Sequence, residues 1–241
     1  MKRYLIHLAY NGKNYHGWQV QENAHTVQAE VNEKISLLLK SEINVVGCGR
    51  TDTGVHARDF YAHFDHEVPI PDPDELAYRL DQFLPGDIAI WNVKEVSPDI
   101  HARFSAVSRT YAYYISTRKA PFLEGQCYVY TGPLNLGAMS SSCKYLFPYT
   151  DFTSFSKLHT QTATNNCTVT RASWEKEGGM LIFTITADRF LRNMVRAIVG
   201  SMIEIGKGKL KPDDLGHIIE AKDRSTENIQ RPQYTAAHSG A

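Results

Sequence analysis

The sequence predicts an α+β protein made of two β-α-β-β-α-β repeats, each a ferredoxin-like unit with a mainly antiparallel sheet. Three observations predict it. Apolar residues alternate with a period of two in several short runs, as in half-buried strands. Amphipathic segments bounded by capping residues and prolines lie between those runs, as helices do. The order of these segments in residues 1–105 recurs in residues 106–241, which gives two α/β domains with those bounds.

In the first repeat, residues 3–10 place Tyr4, Ile6, Leu8 and Tyr10 on one face of a strand. Thr26 is positioned to cap a helix running to about Lys40, with Val27, Val31, Ile35 and Leu38 as its apolar stripe. Ile43 to Cys48 reads as a short strand, and Phe60, Ala62 and Phe64 alternate in the next. Pro71 and Pro73 introduce a helix carrying Leu76, Leu80 and Phe83, which Pro85-Gly86 stops. A strand from Ile88 to Val96 closes the unit.

The second repeat begins with a Tyr-rich strand from Arg109 to Thr117 and a helix from Leu136 to Leu146. Thr168–Lys176 and Met180–Ala187 form a hairpin across Gly178-Gly179. A strong helix is expected at about 189–206 from the pairs Phe190/Leu191, Met194/Val195, Ile198/Val199 and Met202/Ile203. Another is expected at 212–221, with Pro212 near its start and Asp213 and Asp214 suiting the positive end of its dipole. The repeat calls for one more strand after Tyr234. The sequence reaches Gly240-Ala241 without one, so the final C-terminal strand is expected to be missing.

Apolar content of 42% and charged content of 22% are those of a globular protein, and zero net charge announces no nucleic-acid partner. The charge is uneven. Residues 1–105 carry a net of −5 and residues 106–241 a net of +5. Arg189, Arg192, Arg196, Lys207, Lys209 and Lys211 stand against Glu204 alone within 189–211, a local anion-binding candidate. Cys48, Cys127, Cys143 and Cys167 lack C-x-x-C spacing and fit reduced structural thiols of a cytoplasmic protein. Met1-Lys2-Arg3-Tyr4 runs straight into a strand pattern with no signal-peptide pattern, and no apolar run spans a bilayer.

Chemistry concentrates in the stretch Gly49-Arg50-Thr51-Asp52-Thr53-Gly54-Val55-His56-Ala57-Arg58, which reads as a loop between strands. Two glycines flank one carboxylate, so the loop can turn sharply and present Asp52. Taken alone it also reads as an Asx turn with two surface arginines. Tyr15-His16-Gly17-Trp18-Gln19 could stack on or hydrogen-bond a base, or pack as a loop. The polar loop 148–167, with Tyr149, Phe152 and Phe155 among hydroxyls, suits base stacking, or reads as a mobile surface loop. His56, His63, Asp65 and His66 match no standard metal spacing, and a solvated strand face is the simpler reading. Arg189, Arg192 and Arg196 at i, i+3 and i+7 share one helix face, ordinarily a solvated basic one. Alternatively Arg196, two turns into the helix, points inward to a carboxylate, for which Asp52 is the candidate. A lone ionised Asp held by arginine suits a nucleophile or a base and fits a two-carboxylate glycosidase poorly.

The Asp52 stretch resembles the G-R-T-D-x-G-V-H-A motif of the TruA family of tRNA pseudouridine synthases. Tyr10-Asn11-Gly12 through Gln19, Arg109-Thr110-Tyr111-Ala112-Tyr113, Asp151-Phe152-Thr153-Ser154-Phe155 and Phe190 to Gly200 match the same family in the expected order. The resemblance implies a pseudouridine-synthase fold and an isomerase that turns uridine into pseudouridine at positions 38, 39 and 40 of the tRNA anticodon stem–loop. It implies a cytoplasmic homodimer that needs no metal or organic cofactor. It assigns Asp52 as the catalytic carboxylate, Arg196 as its ion-pair partner and Tyr111 as the ring packed on the target uracil. Arg50 and Arg58 would contact RNA phosphates, and Trp18, Gln19, Phe155, Arg189 and Arg192 complete the candidate RNA-binding set. At the C-terminus Thr235 to Gly240 resembles the start of a family segment of the form T-A-P-x-x-G-L-Y-L, but Ala241 stands where the pocket-lining Leu is expected. A catalytically weak tRNA-binding protein or chaperone of the same fold is the alternative reading. A ferredoxin-like enzyme unrelated to RNA would explain neither the aromatic loops nor the Arg196 helix.

Overall fold

The computed structural model describes residues 1–156 and 164–223 and the backbone of 236–238. Residues 157–163 of the polar loop read at 148–167, and residues 224–235 and 239–241, lie outside the described residues. The chain divides into two compact units, one holding residues 1–107 and the strand at 236–238, the other starting at Ser108.

In the first unit β1 (Lys2–Tyr10) buries Tyr4, Ile6, Leu8 and Tyr10, the alternation read from the sequence. It pairs antiparallel with both β3 (His56–His66) and β4 (Ile88–Val96). β2 (Val46–Gly47) pairs antiparallel with the other edge of β3, giving the order β4-β1-β3-β2. Helix α1 (Val27–Leu39) starts at the Thr26 cap and ends at Lys40 in the left-handed region. Its Val27, Val31 and Ile35 are fully buried, and Leu38 is partly so. Helix α2 (Pro73–Phe83) is capped by Asp72, whose carboxylate accepts the N–H groups of Asp74 and Glu75. Its Leu76 and Leu80 are buried, whereas Phe83 lies outside the core beneath the Lys34 ammonium.

Three expectations in this unit change. The strand expected over 43–48 shrinks to two residues, because α1 side chains take its backbone donors: Ile43 N–H bonds Ser36 Oγ and Val45 N–H bonds Asn32 Oδ1. β3 begins at His56, so His56, Ala57 and Arg58 are strand and not loop. Nor is the end of the chain without a strand. β9 (Ala236–His238) pairs in parallel with the start of β3, His56 opposite Ala236 and Ala57 opposite Ala237.

In the second unit β5 (Arg109–Ser116) pairs antiparallel with β8 (Met180–Ala187), which pairs antiparallel with β7 (Val169–Glu177). Gly178 and Gly179, at φ of +54° and +87°, close the expected hairpin. β6 (Tyr128–Val129) adds to β5 in parallel. α3 (Leu136–Ser142) tightens into a 3₁₀ turn through Leu146. α4 (Met194–Gly206) is buried almost all round, as expected of a core helix, and α5 (Asp214–Ala221) follows.

α4 starts five residues later than the periodicity suggests. Asn193 sits at φ +65° and stops the helix from extending backwards. Asp188 Oδ1 meanwhile accepts the N–H groups of Thr168 and Arg189, and Met194 N–H closes a turn onto Leu191 O. Arg189 and Arg192 therefore precede the helix and do not share a helical face with Arg196. Arg196 lies in the first turn, not two turns in. No helix of the described residues is long and apolar enough to cross a membrane.

Two buried features yield measurable consequences. His63 is 4% exposed, and its Nδ1 accepts the N–H of Ala102. Burial, then the Arg3 cation, then His101 push its pKa down from 6.5 to about 4, against weaker opposing effects of Asp65 and the Val46 backbone. Between those values the unfolded chain binds a proton that the native state does not, so stability is lost as pH falls through that window. Urea unfolding should shift to lower denaturant from pH 7 to pH 4.5, and His63→Asn, which keeps an acceptor for Ala102, should flatten that dependence. An unchanged slope in the variant would disprove the assignment. All four cysteines are buried, and burial pushes the thiol of Cys143 up to about 11 and that of Cys167 up to about 12. Ellman's reagent at pH 8 should label none of them rapidly until denaturant is added; fast labelling of any thiol in the native protein would contradict this.

Candidate active site

Asp52 occupies the connection between β2 and β3, half-buried, between Thr51 and the turn residues Thr53 and Gly54. The Val55 N–H donates to Asp52 O (3.1 Å) and closes the loop on itself. A second segment, residues 11–18, lies against it. The Trp18 N–H donates to Thr51 O (3.3 Å), and the Gly54 N–H donates to Tyr15 O (3.2 Å). The Tyr10 and Thr51 hydroxyls meet at 2.9 Å. Asp52 is thus bracketed on both sides by backbone bonds to one neighbouring segment.

Two glycines allow that approach. A Cβ on Gly12 would lie 2.0 Å from Val55 O, and one on Gly17 would lie 2.3 Å from Thr51 O. Gly17 also has φ +91°, which an L side chain rarely adopts. Segment 11–18 is itself fixed to α1, because Gly17 O and Trp18 O accept the N–H groups of Val27 and Gln28 in the first helical turn.

Trp18 does not offer a stacking face. It is 2% exposed, with its ring 4.3 Å from that of Phe60 and 5.9 Å from that of Tyr10, and it covers Gly47. The indole packs in the core beside Gly47, while neighbouring Gln19 is exposed. Arg50 and Arg58 are exposed as expected, Arg50 in the loop and Arg58 on β3. The four metal-like residues are engaged separately. His56 accepts from Gly12 N–H, His63 from Ala102 N–H, Asp65 pairs with Arg3, and His66 Nδ1 contacts Val68 O. His56 and His63 are buried, so they do not form the solvated face expected of them.

In the second unit Tyr111 is half-buried on β5 opposite Ile185, with the Phe190 ring edge-on to it at 5.0 Å. Arg189 and Arg192 flank Phe190 in the irregular stretch before α4, Arg192 exposed and Arg189 half-buried. Arg196 is half-buried on α4. Phe152 and Phe155 are core residues, Phe155 at 2% exposure, so loop 148–167 uses these rings to pack and not to stack on bases. Lys207 and Lys209 bind Glu204 at 2.7 and 3.1 Å, which neutralises part of the basic cluster read from the sequence. Sequence reasoning singled out Gly12, Tyr15 and Gly17 within an aromatic stretch but missed their role, which is to bracket the Asp52 loop. Their signal was two glycines inside an aromatic run.

A family profile described as tRNA pseudouridine synthase matches residues 143–238. The chain is 53% identical to tRNA pseudouridine synthase A of Parabacteroides distasonis, over 96% of this chain and 92% of that protein. It is 48% identical to the protein of the same name from Bacteroides thetaiotaomicron, over 96% and 87%. With the protein of that name from Thermoanaerobacter pseudethanolicus the identity is 38%, over 96% of each chain. Matched along nearly its whole length by these relatives, the chain belongs to the tRNA pseudouridine synthase A family.

Proposed function

We propose that this protein isomerises uridine to pseudouridine in tRNA, with Asp52 as the catalytic carboxylate. The observation that carries the reading is a single half-buried aspartate, held between two backbone contacts, in a chain 53% identical to a protein named tRNA pseudouridine synthase A. The isomerisation breaks the N1–C1′ bond and forms a C5–C1′ bond. N1 gains a proton, C5 loses one, and no electrons are exchanged with a cofactor. Asp52 attacks either C1′ or the uracil ring. A uridine in a stem must first leave the stack, at a cost of about a few kcal/mol, which phosphate contacts and an aromatic face can offset. Tyr111 supplies that face, and Arg196 supplies a guanidinium charge at the site. Arg50, Arg58, Arg189 and Arg192 contact phosphates, and Gln19 contacts RNA beside the loop. Trp18 and Phe155 serve from within their cores. The finer reading follows the resemblance: the anticodon stem–loop at positions 38, 39 and 40, acted on by a cytoplasmic homodimer of two ferredoxin-like repeats per chain.

The test is tritium release from tRNA carrying 5-³H-uridine. The parent protein should release it, and Asp52→Asn, which keeps size and polarity but lacks the carboxylate, should release none while still binding tRNA. Release by Asp52→Asn at the parent rate would remove the assigned carboxylate. Binding without release by the parent would leave a tRNA-binding protein.

A further inference from the structure

We propose that His56 and Asp87 are positioning residues for the Asp52 loop, acting through segment 11–18. This rests on the reading of Asp52 above. The two residues secure the segment at different points. The His56 Nδ1 accepts the Gly12 N–H at 3.0 Å, in a buried bond between the start of β3 and the start of the segment. An acceptor there requires a lone pair on Nδ1. Asp87, in the turn before β4, acts at three atoms. Its Oδ1 accepts the Tyr15 hydroxyl proton at 2.6 Å, its Oδ2 accepts from Asn14 Nδ2 at 3.2 Å, and its backbone O accepts the Asn11 N–H at 2.8 Å. Burial and the Asp87 carboxylate both raise the Tyr15 pKa, which keeps the phenol protonated as the donor.

Both anchors lead to the same carbonyl. Gly12 O accepts the Tyr15 N–H at 3.0 Å, and Tyr15 O accepts the Gly54 N–H, two residues beyond Asp52. The path from His56 therefore runs through Gly12 and Tyr15 to Gly54, and the path from Asp87 enters at Tyr15. Neither anchor needs to touch substrate. Each sets where Tyr15 O stands, and Tyr15 O sets where the loop turns. A displacement of about 1 Å in a reacting carboxylate can cost about a hundredfold in rate.

The experiment measures single-turnover tritium release, KM for tRNA and amide exchange in full-length variants. His56→Leu and Asp87→Ala should each lower the single-turnover rate by about a hundredfold, with KM changed far less. His56→Asn places an amide oxygen where Nδ1 stood, and Asp87→Asn keeps an acceptor for Tyr15, so both should recover most of the rate. The Gly54 and Val55 amides should exchange faster in the two disruptive variants, while those of Ile6 and Leu8 in β1 hold. Tyr15→Phe removes only the hydroxyl and should show the pattern of Asp87→Ala if that variant fails to fold, and His56→Phe, which keeps a ring but no acceptor, replaces His56→Leu if that one does. Parent rates in His56→Leu and Asp87→Ala, no recovery in the Asn variants, or unchanged exchange at Gly54 and Val55 would overturn the proposal. The exchange measurement does not depend on turnover, so an inactive parent would sink the functional reading and leave the positioning role to be judged separately.

Discussion

The first unit depends on a close approach of two backbones. Segment 11–18 and loop 51–55 come together where only hydrogen atoms fit, at Gly12 against Val55 O and at Gly17 against Thr51 O. A side chain at either position would meet backbone and not the far end of a flexible side chain, so relief requires moving the loop itself. That makes the contact an all-or-none constraint on Asp52. It also explains why the segment is so heavily fastened elsewhere, to α1 through Gly17 O and Trp18 O and to β3 through His56. Ordering a loop costs about 1–2 kcal/mol of backbone entropy per residue. Here the backbone bonds of the folded chain offset that cost before any substrate arrives.

Such fixity suits a chemistry with one carboxylate. A lone carboxylate that must reach one carbon of a flipped nucleotide needs its direction set in advance, because rate falls steeply with misalignment. The buried indole of Trp18 contributes to this by filling the space over Gly47, while its backbone N–H holds Thr51 O. The same residue read as a stacking platform would have to leave the core, at a loss of apolar burial that nothing in the unit compensates.

Much of the fold was legible because its signals are local. β1, β4, α1, α2 and the Gly178-Gly179 hairpin each carry period, cap and turn residues within a dozen positions of one another. The errors occurred where a hydrogen bond or backbone conformation outside the apolar period decides. β2 is short because Asn32 and Ser36 of α1 claim backbone donors thirteen and seven residues away. α4 starts late because one asparagine adopts the left-handed region while Asp188 bonds neighbouring N–H groups. Apolar periodicity continued through 190–191 because Phe190 and Leu191 pack without being helical. At the site, Asp52 stood out by its flanking glycines. The Tyr15–Asp87 bond did not, because it links residues 72 apart and Asp87 belongs to no motif that announces it.

Charge illustrates the same limit and sharpens the case for Arg196. Six basic residues within 189–211 look like one anion-binding face, yet Lys207 and Lys209 are committed to Glu204, and Arg189 and Arg192 lie before the helix. Arg196 alone of the three arginines is helical, and it lies in a first turn that contains no acidic residue. A cation there opposes the helix dipole, an effect of about 0.3–1 kcal/mol in an exposed setting and more in a partly buried one. Stability alone would favour a carboxylate at that position or a basic residue at the other end. The guanidinium instead adds its charge to the positive end of the dipole, and an anion brought to that helix end is stabilised by both. An arginine at that helix end is therefore placed where an anion is favoured, which is what the proposed role of Arg196 in holding negative charge requires.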